Sequence, residues 1–489
     1  MAEVSTSPAK PFKVIVVGGG IAGLAMSHAL QLAKIDHVVL EAYGEVCSHV
    51  GASIGLWPNG IRVLDQMGAW KQISEHCSPM NHSYNRLPDG RAVSVSRMAD
   101  MIIERNGYDF VVLEREHVVK GLWDNIPDQS LIKVNQRVNK IDEDANGVTV
   151  HTTDGEKYEG DIVVACDGVN SFVRDHMWDM ANRFSPGLIP AAEKTSLATT
   201  YCCLIGFAPE MAGIGLGDCQ TVHNQGFSFL IITQPGRTFF FVFIKLPEVV
   251  RWPNRLKFTA EDAEREAAKL AALPVTESLL FGEIWKKKIR GQLIPLEEVV
   301  FDHWHHGRTV LLGDSVHKLT INLAFGGNSA LESTAAFVNV LNRELKALPA
   351  GEKMSQETLS EAFEEYQGLR KPRMKKVLNL AYQLTRLQAW DGWFMKFVQS
   401  WVIPWVGDGQ VVDHFSELVR AGHRLDFVPV PPHKEGYVPF NDELKDKDGP
   451  LYETHKAPSD FGSVIRRLVL PWIAVSSALV AGAAYSLSG

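Results

Sequence analysis

The segment that most constrains the fold of this 489-residue chain is Val14-Ile-Val-Val-Gly-Gly-Gly-Ile-Ala-Gly23. Its first four residues form an apolar, β-branched run of strand length, and apolar residues then recur at helical spacing from Ala22 to Leu32. Between them, Gly18 permits a tight turn, Gly20 lets the backbone approach a phosphate, and Gly23 lets the helix pack closely on the strand. The segment therefore predicts a strand, a turn and a helix whose N-terminus offers free amides to an anion.

An acidic residue at a suitable distance makes this glycine loop more specific. The apolar run from His37 to Leu40 predicts a second strand, and Glu41 follows it, eighteen positions after Gly23. A carboxylate at that place can accept hydrogen bonds from ribose hydroxyls. Strand, helix and acid together favour a dinucleotide-binding domain over a glycine-rich surface turn.

Composition and charge narrow the class of protein. A length of 489 residues predicts two or more domains, and 45% hydrophobic with 22% charged residues is typical of a globular protein. The formal net charge of −8 argues against nucleic acid as the main partner. The six cysteines lack a metal-binding spacing and predict reduced thiols in a cytosol-facing body. His303, His305 and His306 have no further ligand at such a spacing, so we predict no metal site there.

The C-terminal end carries an apolar segment. No charged residue occurs from Leu468 to Ser486, nineteen positions, close to the ~20 that span a bilayer core. Arg466 and Arg467 precede this segment, so the positive-inside tendency predicts a membrane tail anchor with the body in the cytosol. A buried amphipathic helix is the alternative, because many residues of the segment are small.

Two stretches before the tail have unusual compositions. Trp390 to Trp405 is rich in aromatic residues and predicts either an interfacial helix or packing against the body. His433 to Ser463 is dense in Pro, Gly, Asp and Lys, which predicts a loop or tether.

Three further motifs place glycine-containing turns beside strands or helices. They are Gly51-Ala-Ser-Ile-Gly-Leu-Trp-Pro-Asn-Gly60, before a predicted helix from Ile61 to Gly68; Asp161-Ile-Val-Val-Ala-Cys-Asp167-Gly168-Val-Asn-Ser-Phe-Val-Arg174; and Gly307-Arg-Thr-Val-Leu-Leu-Gly313-Asp314-Ser-Val-His-Lys318, before a predicted helix from Asn328 to Leu341. In this order, over residues 12–380, they resemble the single-component FAD-dependent monooxygenases, the family of aromatic-ring hydroxylases similar to p-hydroxybenzoate hydroxylase.

The resemblance implies an α/β fold, with a Rossmann-like FAD-binding domain, an inserted β-sheet substrate domain, and a C-terminal helical region and membrane anchor. The implied division has a first FAD-binding segment at 1–185, the substrate-binding sheet at 186–296, a second FAD-binding segment at 297–385, the helical region and tether at 386–463, and the transmembrane tail anchor at 464–489.

The resemblance also implies roles for single residues. The first loop and Glu41 are expected to bind the ADP half of FAD, Asp167 to lie near the pyrophosphate and NADPH, and Asp314 to hold the ribityl or pyrophosphate region. The expected cofactor-binding residues are Gly18, Gly20, Gly23, Glu41, Gly55, Arg115, Asp167, Asp314 and Gly327. The alternatives are that a strand-terminal Asp caps a turn, and that Arg115 pairs with Glu114 or Glu116.

Within that family, four features look like the fungal paxilline-type epoxidases of meroterpenoid and indole-diterpene pathways. They are Gly51-Ala-Ser-Ile-Gly55, Trp304-His-His-Gly-Arg308, the third motif and the apolar tail. This implies epoxidation of an alkene on a prenylated small molecule, with O₂, FAD, and NADPH as reductant. A lipid-soluble substrate suits a membrane tail. A phenol hydroxylase of the same fold and a catalytically impaired, membrane-tethered homologue are the alternatives. The oligomeric state is left open.

Two features bear on activity. The family loop after Gly-Asp usually runs Pro-x-x-Gly-Gln-Gly, whereas this chain has Ile321-Asn-Leu-Ala324-Phe325-Gly326-Gly327. The missing Pro and Gly, and a bulky Phe where the loop should approach the flavin, predict altered flavin docking or reduced activity. In the strand-rich region from Ser196 to Pro295, Tyr201 is the one candidate for a catalytic polar contact with substrate, and a plain sheet residue is its alternative.

Overall fold

The apolar run at residues 14–17 forms the centre of a parallel sheet. The computed structural model describes residues 11–47, 53–349, 352–403 and 406–444. Its strands are β1 Lys13–Val17, β2 Asp36–Leu40, β3 Ser53–Leu56, β4 Ser83–Arg86, β5 Ala92–Ser96, β6 Val111–Glu114, β7 Ile132–Lys133, β8 Val138–Glu143, β9 Val148–Thr152, β10 Lys157–Gly160, β11 Ile162–Ala165, β12 Ala198–Ala208, β13 Cys219–Asn224, β14 Phe227–Gln234, β15 Arg237–Arg251, β16 Arg290–Val300, β17 His305–His306, β18 Thr309–Leu311 and β19 His317–Lys318.

Helices cover this sheet and extend towards the C-terminus. They are α1 Ile21–Leu32, α2 Pro58–Gln66, α3 Trp70–Ser74, α4 Met98–Asn106, α5 Arg115–Asp124, α6 Phe172–Phe184, α7 Ala191–Lys194, α8 Ala260–Leu270, α9 Phe281–Lys286, α10 Phe325–Ala347, α11 Gln356–Gln388, α12 Trp393–Phe397 and α13 Asp408–Arg420. Short 3₁₀ helices occupy Gln129–Leu131, Gly313–Ser315 and Ile321–Leu323, and a π-helix spans Val398–Val402.

The first sheet has the strand order β17-β18-β11-β1-β2-β7. β1 pairs in parallel with β2 and β11, and its residues 14–17 are all buried, as expected for a parallel strand covered on both faces. α1 follows β1 directly and packs on α5 and α10. The predicted strand, turn and helix are confirmed, and with them the α/β architecture.

The second sheet has the order β19-β16-β12-β15-β14-β13-β4-β5. Side chains alternate across it, because successive residues of a strand point to opposite faces. On β12, Cys202 and Leu204 pack into a cluster with α8 and α9, whereas Cys203 and Ile205 pack into a cluster on the other face. The expectation of a strand-rich region from Ser196 to Pro295 is therefore confirmed.

Two strands of the second sheet come from within the first predicted FAD-binding segment, residues 1–185. β4 pairs in parallel with β13, and β5 pairs with β4, so residues 83–96 extend the second sheet although they fall within the first predicted FAD-binding segment. β4 and β5 lie far from β12 to β16 in sequence, and no local pattern indicates which sheet such a hairpin joins.

A buried ionic cluster joins α10, α11 and α2. Glu332 is fully buried and accepts hydrogen bonds from Arg370 Nη1 at 2.6 Å, Arg373 Nη2 at 2.6 Å and Asn59 Nδ2 at 2.5 Å. Burial works to raise the pKa of Glu332, but Arg373 and Arg370 outweigh it and lower that pKa to about 2. α10 is thereby held by charge as well as by apolar packing.

The end of the described chain is attached to the body. Val438 N–H donates to the Arg105 carbonyl at 2.8 Å, Arg62 pairs with Asp442 at 2.9 Å, and the Phe440 ring lies 4.0 Å from the Arg62 guanidinium. The prediction of a tether therefore needs correction over residues 433–444, which form a docked loop because the buried Arg62 requires a partner.

The predicted tail anchor at 464–489 lies outside the described residues, as do Gly51 and Trp405. Within the described ranges, no helix combines the length and apolar character needed to cross a membrane.

Candidate active site

The two sheets enclose a cavity of about 1150 Å³. A pocket for one small ligand usually measures ~300–1,000 Å³. The glycine loop after β1 lines one side of the cavity, and residues of β12 to β15 line another. The volume and the two kinds of wall indicate room for a cofactor and a second molecule.

Backbone amides and a carboxylate form the end of the cavity at β1. Gly18 has φ +105°, and a Cβ there would lie 2.4 Å from the Cys166 carbonyl oxygen, so the turn requires glycine. Glu41 Oε2 accepts from Gly19 N–H at 2.6 Å and Oε1 from Tyr43 N–H at 2.8 Å. The carboxylate is thus fixed at the cavity wall with lone pairs left for a ligand's hydroxyls.

Gly20 and Gly23 have different structural roles in the loop. A Cβ on Gly23 would lie 1.8 Å from the Gly18 carbonyl oxygen, so this glycine permits close packing of α1 on the turn and does not line the cavity. A Cβ on Gly20 would have only Arg115 Nη2 among its nearest atoms, at 3.7 Å, so its backbone faces the open cavity.

Asp167 lies at the cavity wall, but its carboxylate is engaged locally. Oδ1 accepts from Ser171 Oγ at 2.5 Å, and Oδ2 accepts from Val173 N–H at 3.1 Å, at the start of α6. Burial raises the pKa of Asp167, and these two hydrogen bonds act against that rise. The alternative considered from the sequence, a strand-terminal Asp that caps a turn, therefore describes these contacts.

A charged cluster lies where α5, the Gly313–Ser315 turn and β19 meet the cavity. Asp314 pairs with Lys318, and both line the cavity together with Arg115. Burial lowers the pKa of Arg115 and the Asp314 carboxylate opposes this change. Burial likewise works to lower the pKa of Lys318, but Asp314 outweighs it and the net pKa is raised. Two cations and one anion leave this wall suited to an anionic ligand.

The N-terminus of α10 opens onto the same cavity. Ala324 precedes the helix with φ +56°, a left-handed conformation that glycine adopts more easily. A Cβ on Gly55 would lie 2.5 Å from Ala324 Cβ, and one on Gly327 would lie 2.6 Å from Ile54 Cδ1, so both glycines permit a close approach of β3 to α10. Asn328 Nδ2 joins these elements by donating to the Gly55 carbonyl at 2.9 Å.

The expectation that Phe325 approaches the flavin is wrong. Its side chain is 1% exposed, lies 5.3 Å from the Trp57 ring and does not line the cavity, whereas Ala324, Gly326 and Gly327 do. The helix begins at Phe325, and its turn directs the ring into the apolar core, where a Phe is more stable than a Gln.

The far wall of the cavity has an apolar part and a polar part. Ile205, Leu230, Ile232 and Phe241 form the apolar part on one face of the second sheet. Strands β4, β5 and β13 of the same sheet add the polar residues Ser83, Asn85, Ser94, Ser96, Thr221 and His223. His223 is 2% exposed, and burial lowers its pKa to about 4, so the ring is neutral at pH 7. This wall suits a ligand that has both a hydrocarbon part and polar groups.

The structure places Tyr201 away from the cavity. Its side chain is fully buried, and its hydroxyl donates to Asp391 Oδ2 at 2.9 Å, while Lys245 Nζ donates to Asp391 Oδ1 at 2.6 Å. Tyr201 does not line the cavity, so its predicted contact with substrate is corrected to a structural link between β12 and the end of α11. On β12 it points to the same face as Ile205 but lies nearer the α11 end.

The aromatic stretch has two faces. Val398, Gln399 and Val402 are buried, whereas Trp393, Phe394, Phe397 and Trp401, here called the aromatic surface, are 81%, 40%, 36% and 69% exposed. The inner face reaches the cavity through Gln399 and Ile403. The inner face confirms packing against the body, and an interfacial role of the aromatic surface stays a prediction.

Sequence reasoning did not single out the polar cavity residues Lys318, His223 and Gln399, among others. Lys318 ends the third motif, and its spacing of four from Asp314 is a signal that could have found it. His223 and Gln399 carry no local signal, because only the pairing of β13 and the position of the π-helix bring them together. The predicted residues Gly18, Gly20, Glu41, Gly55, Arg115, Asp167, Asp314 and Gly327 all line the cavity.

These residues fit FAD. Glu41 would accept from the ribose, the backbone of Gly20 and the N-terminus of α1 would face the pyrophosphate, and Arg115 with the N-terminus of α10 would face the flavin. The open space beside Gly20 and the absence of side chains at Gly326 and Gly327 leave the backbone accessible to such a group.

Comparison with known proteins agrees with this fit. Residues 11–182 match a family described as an FAD binding domain. The FAD-dependent monooxygenase penE of Penicillium thymicola is 35% identical over 432 residues, 88% of this chain and 90% of that protein. The FAD-dependent monooxygenase ausM of Penicillium brasilianum is 33% identical over 432 residues, with the same coverage.

Among solved structures, Klebsiella pneumoniae HpxO complexed with FAD and uric acid has the same fold, with a TM-score of 0.66 and 23% identity over 84% of this chain and 97% of that chain. The sequence relatives carry the family assignment: this chain belongs to the FAD-dependent monooxygenases, and FAD is its cofactor.

Proposed function

We propose that this monooxygenase epoxidises an alkene of a prenyl chain on a meroterpenoid or indole-diterpene intermediate of fungal secondary metabolism. In the balanced reaction, NADPH supplies two electrons, one oxygen atom of O₂ enters the epoxide, and the other leaves as water. Bound FAD, once reduced, supplies the chemistry that activates O₂.

The observation that carries the proposal is the apolar wall of the cavity. Ile205, Leu230, Ile232 and Phe241 offer hydrocarbon contacts to a prenyl chain. A prenyl chain gains about 0.8 kcal/mol for each CH₂ group that it buries there. The same residues exclude water from the reacting carbons, which favours oxygen transfer over loss of oxidant to solvent.

The neutral imidazole of His223 supports epoxidation over phenol hydroxylation. Hydroxylation of a phenol needs a base that removes the phenol proton, and a base works best with a pKa near the working pH. The pKa of His223 is lowered to about 4. A neutral, weakly basic imidazole suits hydrogen bonding, and an alkene needs no deprotonation.

The test is a reaction of the purified FAD-loaded protein with ortho-farnesylphenol, NADPH and labelled O₂, followed by mass spectrometry. We expect one labelled oxygen on the farnesyl chain. A label on the ring would replace the proposal with phenol hydroxylation. Oxidation of NADPH without a labelled product would support the impaired homologue.

We also propose NADPH as the reductant. The test is anaerobic reduction of the bound flavin, which is monitored through the loss of flavin absorbance. We expect NADPH to reduce it at least about tenfold faster than NADH, a difference of ~1.4 kcal/mol in the barrier. Equal rates would overturn the preference for NADPH.

For localisation we propose a membrane-attached protein with its body in the cytosol. The uncharged segment from Leu468 to Ser486 supports a tail anchor. The aromatic surface supports a second contact, because Trp side chains favour the headgroup level. A truncation after Ser463 should move the protein to the soluble fraction. If the truncated protein stays with membranes until Trp393 and Trp401 are changed to Ser, the aromatic surface is the main attachment.

A further inference from the structure

A cluster of amide and imidazole side chains lies in the far wall of the cavity. His223 from β13, Asn85 from β4 and Gln399 from the π-helix all line the cavity. His223 Nε2 lies 3.1 Å from Gln399 Nε2 and 3.3 Å from Asn85 Oδ1. Three elements distant in sequence thus converge on one imidazole nitrogen.

The hydrogen bonds of the imidazole define its tautomer. His223 Nδ1 lies 3.1 Å from the Gln388 carbonyl oxygen, which can only accept, so the proton is on Nδ1. Nε2 is therefore an acceptor in the neutral ring, and it takes its hydrogen bond from the Gln399 amide. The single lone pair of Nε2 is thereby used, and the second N–H of Gln399 Nε2 is left for another acceptor.

The cluster keeps a donor and an acceptor for a ligand. Asn85 Nδ2 donates to Ser94 Oγ at 3.1 Å, and Asn85 Oδ1, 3.3 Å from His223 Nε2, can still accept a hydrogen bond. Gln399 Nε2 donates one N–H to His223 and has a second. A ligand hydroxyl can donate to Asn85 Oδ1 and accept from that second N–H.

The cluster is held in place by its surroundings. The Trp390 ring stacks on His223, with ring centroids 6.3 Å apart and an interplanar angle of 10°. Asn322 Nδ2 donates to Gln388 Oε1 at 2.7 Å, and the Tyr201 and Lys245 contacts with Asp391 fix the end of α11 that carries Gln388. A fixed set of polar groups loses little entropy when a ligand binds.

We propose that His223, Gln399 and Asn85 form a subsite for a hydroxyl group on the polar head of the substrate, while the apolar wall holds its hydrocarbon chain. The inference rests on the proposed function in taking the substrate to be amphipathic. Asn85 Oδ1 accepts from the hydroxyl and the second Gln399 N–H donates to it, while His223 acts as a positioning residue that holds the Gln399 amide. The subsite therefore selects a free hydroxyl and rejects an alkylated one. A buried polar group that loses its hydrogen-bond partner costs free energy, so the subsite should bind an alkylated head less tightly than a free hydroxyl.

Binding to the FAD-loaded protein tests the subsite without requiring turnover. The probes are ortho-farnesylphenol and its methyl ether, titrated against the flavin absorbance to obtain Kd. In the unaltered protein we expect the phenol to bind about tenfold more tightly than the ether, as one buried hydrogen bond implies. His223→Phe keeps the ring and its stacking, and Gln399→Met keeps the side-chain length.

In both variants we expect the ratio of the two Kd values to fall to near one, with the Kd of the ether little changed. Asn224→Ala is the matched control, because Asn224 is the next residue of β13 and does not line the cavity, and it should keep the tenfold ratio. A flavin spectrum like that of the unaltered protein shows that a variant is folded.

The subsite is overturned if the unaltered protein binds both probes equally or neither, or if the ratio survives both substitutions. The proposed function fails separately. A label on the aromatic ring would refute epoxidation, and a Kd ratio near one in both variants would still support the subsite. A label on the prenyl chain, together with a Kd ratio that is unchanged in both variants, would refute the subsite alone.

Discussion

The ADP end and the substrate end of the cavity are built from different regions of the chain. At the ADP end, backbone groups of one turn and the carboxylate of Glu41 on the next strand form the wall. At the substrate end, side chains from β4 and the π-helix and a backbone carbonyl at the end of α11 converge on His223 of β13. The first wall depends on backbone geometry that few residues allow, whereas the second depends on the pairing of distant strands and can change with single side chains.

The first prediction concerns a substitution that should disrupt the ADP end of the cavity. Gly23→Val should abolish FAD retention and lower stability by more than about 4 kcal/mol, because its Cβ would lie 1.8 Å from the Gly18 carbonyl oxygen. Flavin absorbance after gel filtration and thermal unfolding measure both effects. Gly368→Ala in α11 is the control, since a Cβ there meets nothing within 4 Å, and it should retain FAD. Normal flavin content in Gly23→Val would refute the close packing.

The second prediction concerns the helix that links the two ends. Glu332→Gln should lower the free energy of unfolding by roughly 3–5 kcal/mol, because Arg370 and Arg373 lose their buried partner. Chemical denaturation at pH 7 measures the loss. Glu361→Gln, at an exposed position of α11, is the control and should change stability by less than about 0.5 kcal/mol.

The same cluster gives a pH dependence with a definite sign. The folded pKa of Glu332, about 2, lies below its ordinary value of 4.5. Its contribution to stability is therefore fully present above pH 4.5 and is lost as the pH falls from 4.5 towards 2. The difference in stability between the unaltered protein and Glu332→Gln should shrink over that range, and a constant difference would contradict the depressed pKa.

The contrast between the two ends also explains how much the sequence could predict. The spacing of Gly18, Gly23 and Glu41 is local, so strand, turn and acid could be placed without knowing the rest of the fold. The role of Asp167 was less accessible, because a Ser four residues later engages one oxygen of its carboxylate. His223 was not predicted, since the pairing of β13 with β4 joins segments more than a hundred residues apart.

The direction of a side chain was harder to predict than the position of its residue in the fold. Tyr201 was expected on the strand-rich sheet and lies there, but its hydroxyl meets Asp391 at the end of α11. Phe325 belongs to the loop beside the cavity, yet the start of α10 directs its ring towards Trp57. A chain pattern shows which residues are near a site, whereas the face that each one presents depends on where a helix begins.

The third prediction tests the corrected role of Tyr201. Tyr201→Phe should lower stability by about 1.5 kcal/mol through loss of the hydrogen bond to Asp391, with kcat changed less than twofold. Thermal unfolding and steady-state kinetics with ortho-farnesylphenol measure the two effects. A tenfold fall in kcat with unchanged stability would restore Tyr201 as a residue of the reaction.

The smallest effect is expected at Ala324, where the flavin-facing loop departs from its family. Ala324→Gly should raise the free energy of unfolding by about 0.5 kcal/mol. Glycine adopts the left-handed conformation without strain, which stabilises the folded state by ~1–2 kcal/mol. Glycine also gives the unfolded chain more conformational freedom, which lowers the free energy of unfolding by ~0.4–1 kcal/mol. Ala268→Gly, at an exposed helical position of α8, should instead lose up to about 1 kcal/mol. Because Ala324 lines the cavity, the gain should be accompanied by tighter FAD binding. If Ala324→Gly destabilises the protein as Ala268→Gly does, the left-handed conformation is not strained and the loop departure does not weaken the flavin end.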